Sequence, residues 1–357
     1  MIRLGGMSLQ TPPKPSVLDL SLLEFESAVL ALGLPRYLAS QVFDWIFKKS
    51  KVSFDLMTNI SPKNREILGE TFDIMTFKQK TKVTSEDNTA KKYAFQLSDG
   101  SLIESVVLRE KGYNTLCVSS QSGCPVNCKF CLTGVAGFKR NLRASEIVEQ
   151  VLFANADGEP ISHLVFMGMG EPLLNVDQVF RAIGHLTNPD CLGLSKRHIT
   201  VSTSGILAGL QKLLDRKLYV NLAFSVGAAI PDRRVALMPI ERSNPLMEVV
   251  SLISAYQKCH NRKLTLEYTL IQSKNDRDDD ISELISLAKF LRAKINLINL
   301  NPHAKIPLDP VSVPSLLKIR DTIKAANVPV TIRFRKGQDI AAACGQLGES
   351  ILEAAKG

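Results

Sequence analysis

Cys124, Cys128 and Cys131 are the residues whose type and spacing speak first of chemistry. They sit in Gly-Cys-Pro-Val-Asn-Cys-Lys-Phe-Cys, residues 123–131, a CxxxCxxC arrangement short enough to occupy one loop. Three thiolates so close together are ligands for one metal centre. A structural zinc ion takes four protein ligands, and no fourth Cys or His is adjacent in sequence, although one could fold in from a distance. A four-iron cluster also ordinarily takes four thiolates, so three leave one iron free for another ligand. The remaining reading is that of buried structural thiols in a chain with seven cysteines.

Such ligands need a scaffold, and 357 residues are enough for one large domain and a smaller appendage. A hydrophobic content of 45% is ordinary for a soluble enzyme, and the formal charge of +9 suits a polyanionic partner such as nucleic acid. The N-terminal stretch lacks the apolar h-region of a secretory signal, and no later apolar run is long enough to span a bilayer. The expectation is a cytoplasmic protein with no membrane partner. Cysteines in that compartment are usually metal ligands or catalytic, and this extends to Cys117, Cys191, Cys259 and Cys344.

Ser21-Leu-Leu-Glu24 reads as a capping box opening a helix that Gly33 ends, and Pro35 opens the next segment. Leu38, Val42, Trp45 and Ile46 give residues 36–47 a helical period, and Ser61-Pro62 is a cap followed by proline at the first helical position. Residues 1–75, beginning with a proline-rich leader, therefore read as a small N-terminal helical accessory domain. Its Arg36, Lys48, Lys49, Lys51, Lys63 and Arg65 are either a solvated face or an RNA contact. Residues 76–112 read as a β-hairpin extension, with strands at 91–97 and 101–108 joined by Ser98-Asp99-Gly100. From 113 to 357, strand-like runs at 115–119, 164–167, 199–203, 220–226, 264–271, 295–300 and 328–334 alternate with helical periods such as 145–155 and 245–260. This α/β pattern predicts a partial (β/α) barrel, helices outside a parallel sheet, with chemistry at the carboxyl ends of the strands. The cysteine loop follows the first of these strands, at that end.

Later strand ends carry further candidates. Gly168-Met-Gly170-Glu171-Pro172 has glycines that permit close backbone approach to a ligand and a carboxylate able to accept from an ammonium group; in isolation it is a turn with a surface acid. Ser202, Ser225 and Asn301 suit the hydroxyls and carboxylate of a nucleoside-type cofactor, or are satisfied loop polar groups. Cys344 lies on an apolar stretch where a lone cysteine is ordinarily inert, and Glu104 is one polar residue on an alternating strand.

The CxxxCxxC loop resembles that of the radical S-adenosylmethionine enzymes. Residues 115–124 with that loop, Gly137-Phe-Lys-Arg-Asn-Leu142, Gly168–Pro172 and Ala343-Cys-Gly-Gln-Leu347 resemble a narrower family, as do Gln41–Ile46 and Ser53–Ser61. From about residue 20 to 350 the chain is similar to the dual-specificity 23S rRNA and tRNA adenosine C2 methyltransferases. The resemblance implies one [4Fe-4S] cluster on Cys124, Cys128 and Cys131 and two S-adenosylmethionine molecules per turnover. It implies that Gly170, Glu171, Ser202, Ser225, Val226, Gly227 and Asn301 bind the cofactor. Cys344 would take a methyl group from one S-adenosylmethionine, and a 5′-deoxyadenosyl radical from the second would remove a hydrogen from it. The methylene radical would add to C2 of the adenine, joining protein to RNA. Glu104 would remove the adduct's proton, and Cys117 would attack the Cys344 sulfur, releasing the base and leaving a Cys117–Cys344 disulfide.

Implied partners are 23S rRNA at the peptidyl transferase centre, a tRNA anticodon-loop adenosine, and an electron donor such as a flavodoxin-type protein. Rival readings are C8 methylation of the same adenosine, as in the related antibiotic-resistance family, and a non-catalytic RNA-binding paralogue. The second is motivated by Gly227 in Ser225-Val-Gly-Ala228, where the family usually has Ser-Leu-His-Ala. Lys139, Arg140, Arg143, Lys196, Arg197, Arg233 and Arg234 are candidates for phosphate contacts.

Overall fold

The computed structural model describes residues 14–259, 262, 264–333 and 336–354. The leader's residues 1–13, and His260 and Phe334 at the ends of two expected elements, lie outside the described residues.

Helices begin where the caps predict. Glu24 N donates to Ser21 Oγ (3.3 Å) while Ser21 N donates to Glu24 Oε2 (2.7 Å), opening α1 (Leu22–Ala31). Helix α2 (Tyr37–Phe43) widens at Asp44–Lys48 into a π-helical turn, and Ser61 with Pro62 starts α3 (Pro62–Thr71). Phe25 packs its ring against Phe43 and Phe72 inside this trio. The apolar interior so formed runs without a break into that of the sheet.

Strands β1 (Lys78–Thr84), β2 (Ala90–Gln96), β3 (Leu102–Glu110) and β4 (Tyr113–Cys117) are antiparallel, each to the next. A separate ribbon, β5 (Gln121–Gly123) and β6 (Phe138–Asn141), brackets the cysteine loop and the short helix α4 (Leu132–Val135). After α5 (Ala144–Ala156) the main sheet continues in parallel from β4 through β7 (Ile161–Phe166), β8 (Ile199–Thr203), β9 (Asn221–Ser225), β10 (Leu264–Leu270), β11 (Lys294–Asn299) and β12 (Val330–Ile332). The crossovers carry α6 (Val176–Thr187), α7 (Leu207–Asp215), α8 (Pro231–Leu237), α9 (Leu246–Cys259), α10 (Asp278–Phe290) and α11 (Val313–Ala325), and α12 (Glu349–Ala354) closes the described chain. Ten strands therefore form one open sheet among the described residues, the partial barrel that the alternation predicts. No helix among them is long and apolar enough to cross a membrane.

The hairpin of residues 76–112 extends the main sheet, β3 pairing with β4 from Val106 to Glu110. One feature departs from expectation. Strand β1 was not anticipated: Lys-Gln-Lys-Thr-Lys-Val-Thr has no apolar face, and all seven residues are exposed on a lysine-rich edge.

Helix α5 carries polar groups inward to fix the sheet's first turn. Buried Glu149 accepts from Thr76 N (2.7 Å), Thr76 Oγ1 (2.8 Å) and Phe77 N (3.3 Å), clasping the chain as it enters β1. Burial pushes its carboxyl from the ordinary 4.5 up to about 8. The fold thus favours the protonated form, so this contribution to stability is fully present below the unfolded pKa and is lost as pH rises to about 8. Glu149→Gln is expected to remove up to about 1.4 kcal/mol per pH unit from that slope. Denaturant titrations across the window would show it, and an unchanged slope would rule Glu149 out as the source.

Candidate active site

The main chain flanking the cysteine loop is held in place before any cysteine is considered. After β4, Ser119 N donates to Gln150 Oε1 (2.9 Å) and Gln150 Nε2 returns to Ser119 O (3.0 Å), so α5 grips the segment from below. Asn175 Nδ2 donates to both Ser120 O and Leu142 O at 2.8 Å, tying the loop's two flanks together. A Cβ at Gly168 would lie 2.6 Å from Val118 O, and one at Gly170 (φ +98°) would lie 2.5 Å from Gln121 Cβ. The close approach these glycines permit is in the first place that of the cysteine loop's own backbone.

A cleft of about 990 Å³, counting its open mouth, lies at the carboxyl ends of the strands. Cys124, Cys128, Cys131, Gly170, Glu171, Ser202, Ser225, Gly227, Asn301 and Cys344 all line it, gathering most of the expected site into one space. Burial pushes the Cys124 thiol up to about 12 and the Cys128 thiol well above its ordinary value, with the neighbouring cysteines adding to both. Thiols in such a place need a cation to ionise. No three His, Cys, Asp or Glu among the described residues crowd closely enough to share a single ion; in a four-iron cluster each thiolate has an iron of its own.

Glu171 is buried rather than a surface acid. Its Oε2 accepts from Ser204 N (2.7 Å) and Ser204 Oγ (2.8 Å), and its Oε1 from Leu173 N (3.1 Å). Burial raises its pKa against those hydrogen bonds, so a cationic group in the cleft would favour its charged form. Ser202 Oγ and Ser225 Oγ face each other at 3.4 Å. Asn301 donates from Nδ2 to Cys344 O (2.8 Å), and its buried Oδ1 has no partner among the described residues.

The segment bearing Cys344 is stapled across the cysteine loop. Leu132 N donates to Gly345 O (2.8 Å) and Thr133 Oγ1 to Leu347 O (2.6 Å), bridging more than two hundred residues of chain. Cys117 lies beneath, buried in an apolar cluster with Met169, Ala342 and Leu347. Burial, with the charge of Cys344 next, lifts its thiol to about 12. Both cysteines are free thiols here. Glu104 does not line the cleft: its buried carboxylate accepts from Gly348 N (2.9 Å) and Ser350 N (3.1 Å), anchoring the chain just past Cys344. Val226 does not line it either. Its side chain is in the core, its N–H donates to Glu267 O, and its carbonyl accepts from Arg234 Nε.

Gly227 has φ +71°, and a Cβ there would meet Met238 Sδ at 2.2 Å. The sulfur of Met238 occupies the space into which a histidine would project, so the missing imidazole reflects a local repacking of this wall. Gly227→Ala is expected to lower the melting temperature by several degrees, and Met238→Ala in the same chain to recover part of it. Equal melting of Gly227→Ala and the unmodified protein would contradict this.

Several cations proposed for phosphate binding are already engaged. Arg234 is fully buried: Nε reaches Val226 O, Nη2 reaches Ser204 O (2.5 Å) and Nη1 pairs with Glu241. Arg233 is bound by Asp279 and Asp280, Arg140 by Asp99 and Glu146, and Arg143 by Asp19. Lys196 and Arg197 are exposed at the amino end of β8, away from the cleft, whereas Lys139 is exposed beside the cysteine loop.

Sequence reasoning missed Arg333, just past β12. It lines the cleft and the smaller cavity beside it, both shared with Cys344, and contacts Met167 Sδ at 3.4 Å. The charge Cys344 carries when ionised, then that of Glu267, raises its pKa. Its place at the end of the last strand was the available signal.

Residues 16–74 match the model of the ribosomal RNA large subunit methyltransferase N-terminal domain, and residues 118–285 that of the radical SAM superfamily. The chain is 39% identical over 333 residues to a probable dual-specificity RNA methyltransferase RlmN of Pseudothermotoga lettingae, covering 93% of this chain and 97% of that one. It is 38% identical to the protein of the same description from Aquifex aeolicus, over 94% of this chain and 98% of its relative. The crystal structure of a radical SAM methyltransferase from Sphaerobacter thermophilus superposes with a TM-score of 0.90 at 36% identity, over 94% of this chain and 99% of that one. Motifs, fold and near full-length similarity agree, and the chain belongs to the RlmN family of dual-specificity RNA methyltransferases within the radical SAM superfamily.

Proposed function

We propose that this protein methylates C2 of an adenosine in 23S rRNA, and of a tRNA adenosine, with Cys344 as the methyl-carrying sulfur. The observation that carries this reading is the stapling of the Cys344 segment over the cysteine loop, in one cleft. A bystander cysteine has no reason to be held there. Cys124, Cys128 and Cys131 would hold the [4Fe-4S] cluster. The donor set suits it, since three half-buried cysteines line one cleft and the raised thiols of Cys124 and Cys128 would ionise on strongly charged iron. The buried Glu171 carboxylate suits an ammonium, the unpartnered Oδ1 of Asn301 suits a donor, and Ser202 and Ser225 suit hydroxyls. When bound, cluster and S-adenosylmethionine supply one-electron chemistry that ends in a carbon radical.

The chain's own residues then divide the work. Cys344, as a thiolate beside Arg333, is the nucleophile that accepts a methyl group. Cys117, kept protonated by burial, becomes the attacking thiol only after losing its proton, and Arg333 opposes that burial cost. Glu104 does not line the cleft, so for it to act as proton acceptor the segment it anchors through Gly348 N and Ser350 N has to shift during the cycle. An electron donor outside the chain is required.

The test is nucleoside analysis of 23S rRNA from cells lacking their own enzyme but expressing this chain. A rise in 2-methyladenosine is expected. A rise in 8-methyladenosine alone would overturn the C2 assignment, and no methylation despite a loaded cluster would favour the non-catalytic paralogue.

A further inference from the structure

A shallow concavity on the outer wall of the cysteine loop is unused by the chemistry above. Its floor is apolar, formed by Val135, Leu237, Pro307 and Leu308. Leu237 belongs to a buried apolar cluster against which Leu308, Cys128 and Phe130 all pack. The floor is thus about one side chain from a cluster ligand, and Lys129 N donates to Leu237 O at 2.9 Å to hold that wall. Its rim carries Lys129, Lys274 and Lys305, all exposed. Unlike Arg233 nearby, none of the three has an ion-pair partner among the described residues. No carboxylate lines the concavity.

From this we infer that the rim and floor are the docking face for an acidic protein that delivers the single electron to the cluster. This rests on the radical reading above. The redox step is simple: the donor loses one electron, the cluster gains it, and no atom moves. Electron-transfer partners make small, transient interfaces in which complementary charge sets the encounter rate, and an apolar floor ringed by unpaired lysines fits that pattern. Single-stranded RNA is the less suitable occupant, because no aromatic ring lines the concavity to stack a base. A base must also reach Cys344, which opens instead into the cavity walled by β3, β11 and Arg333.

The test uses the cluster-loaded full chain with reduced flavodoxin, an acidic one-electron flavoprotein, as probe. Lys274→Glu/Lys305→Glu, which leaves the cysteine loop untouched, is expected to slow cluster reduction by flavodoxin at least about tenfold at low salt and to flatten its salt dependence. Reduction of the same cluster by dithionite, which needs no docking, should stay within twofold, as should RNA affinity. Lys129→Gln alone should show a smaller loss in the same direction. Unchanged flavodoxin-driven reduction would overturn the proposal, and a fall in RNA affinity in its place would assign the face to nucleic acid. An unmodified chain that gains no iron–sulfide absorbance on anaerobic reconstitution would sink the radical reading itself, an outcome distinct from a normal cluster whose reduction ignores these lysines.

Discussion

Cys117→Ala is expected to trap the protein on its RNA as a covalent adduct that survives denaturing electrophoresis. On the proposed roles the two cysteines fail in different ways. Without Cys344 nothing carries the methyl group, so Cys344→Ala should leave neither modified protein nor adduct. Without Cys117 the carrier is loaded and joined to the base, but no thiol releases it. Turnover should fall at least about a thousandfold in each, since nucleophile and resolving group act as a unit. Folding should survive the Cys117 change, which removes one sulfur from an apolar pocket and costs about 1 kcal/mol. Adduct in neither variant, or in both, would break the assignment of roles.

Arg234→Met is expected to produce the largest loss of stability among single changes around the cleft. The guanidinium is fully buried, and its removal leaves Glu241 buried without a counter-charge, a loss of about 3–5 kcal/mol by analogy with other broken buried pairs. Arg234→Met/Glu241→Gln separates charge from architecture, because the amide still accepts from Leu246 N as Glu241 Oε1 does now (2.9 Å). The double variant should melt nearer to the unmodified protein yet bind S-adenosylmethionine at least about tenfold more weakly. Ser204 O and Val226 O, which Arg234 ties together at the ends of two strands, would then be unheld. Melting by calorimetry and affinity by equilibrium dialysis read the two effects separately. Normal affinity in the double variant would mean that the tie is irrelevant to the cofactor wall.

The parts of this molecule legible in the sequence are those set by local rules. The CxxxCxxC spacing is a property of nine consecutive residues, and it survives folding because the loop is short. Ser202, Ser225 and Asn301 were readable because the β-α alternation fixes which end of each strand faces the cleft. Helix caps at Ser21 and Ser61 were readable because cap and partner lie three residues apart. What escaped depends on distant residues. The meeting of residue 344 with the loop at 132–133 has no local signature beyond the family likeness. Arg234 reads as a surface cation until Glu241 and two carbonyls bury it. Gly227 reads as a lost histidine until Met238 fills the space. Strand β1 escaped for the opposite reason: an exposed edge strand needs no apolar face, so period-two alternation is absent.

The measurement that bears most directly on the central claim is the mass of the peptide containing residue 344. It would be taken from cluster-loaded protein incubated anaerobically with methyl-labelled S-adenosylmethionine, before any RNA is added. The account predicts one labelled methyl group on the Cys344 sulfur and none on Cys117. A fully assembled cluster with Cys344 unmodified would contradict it.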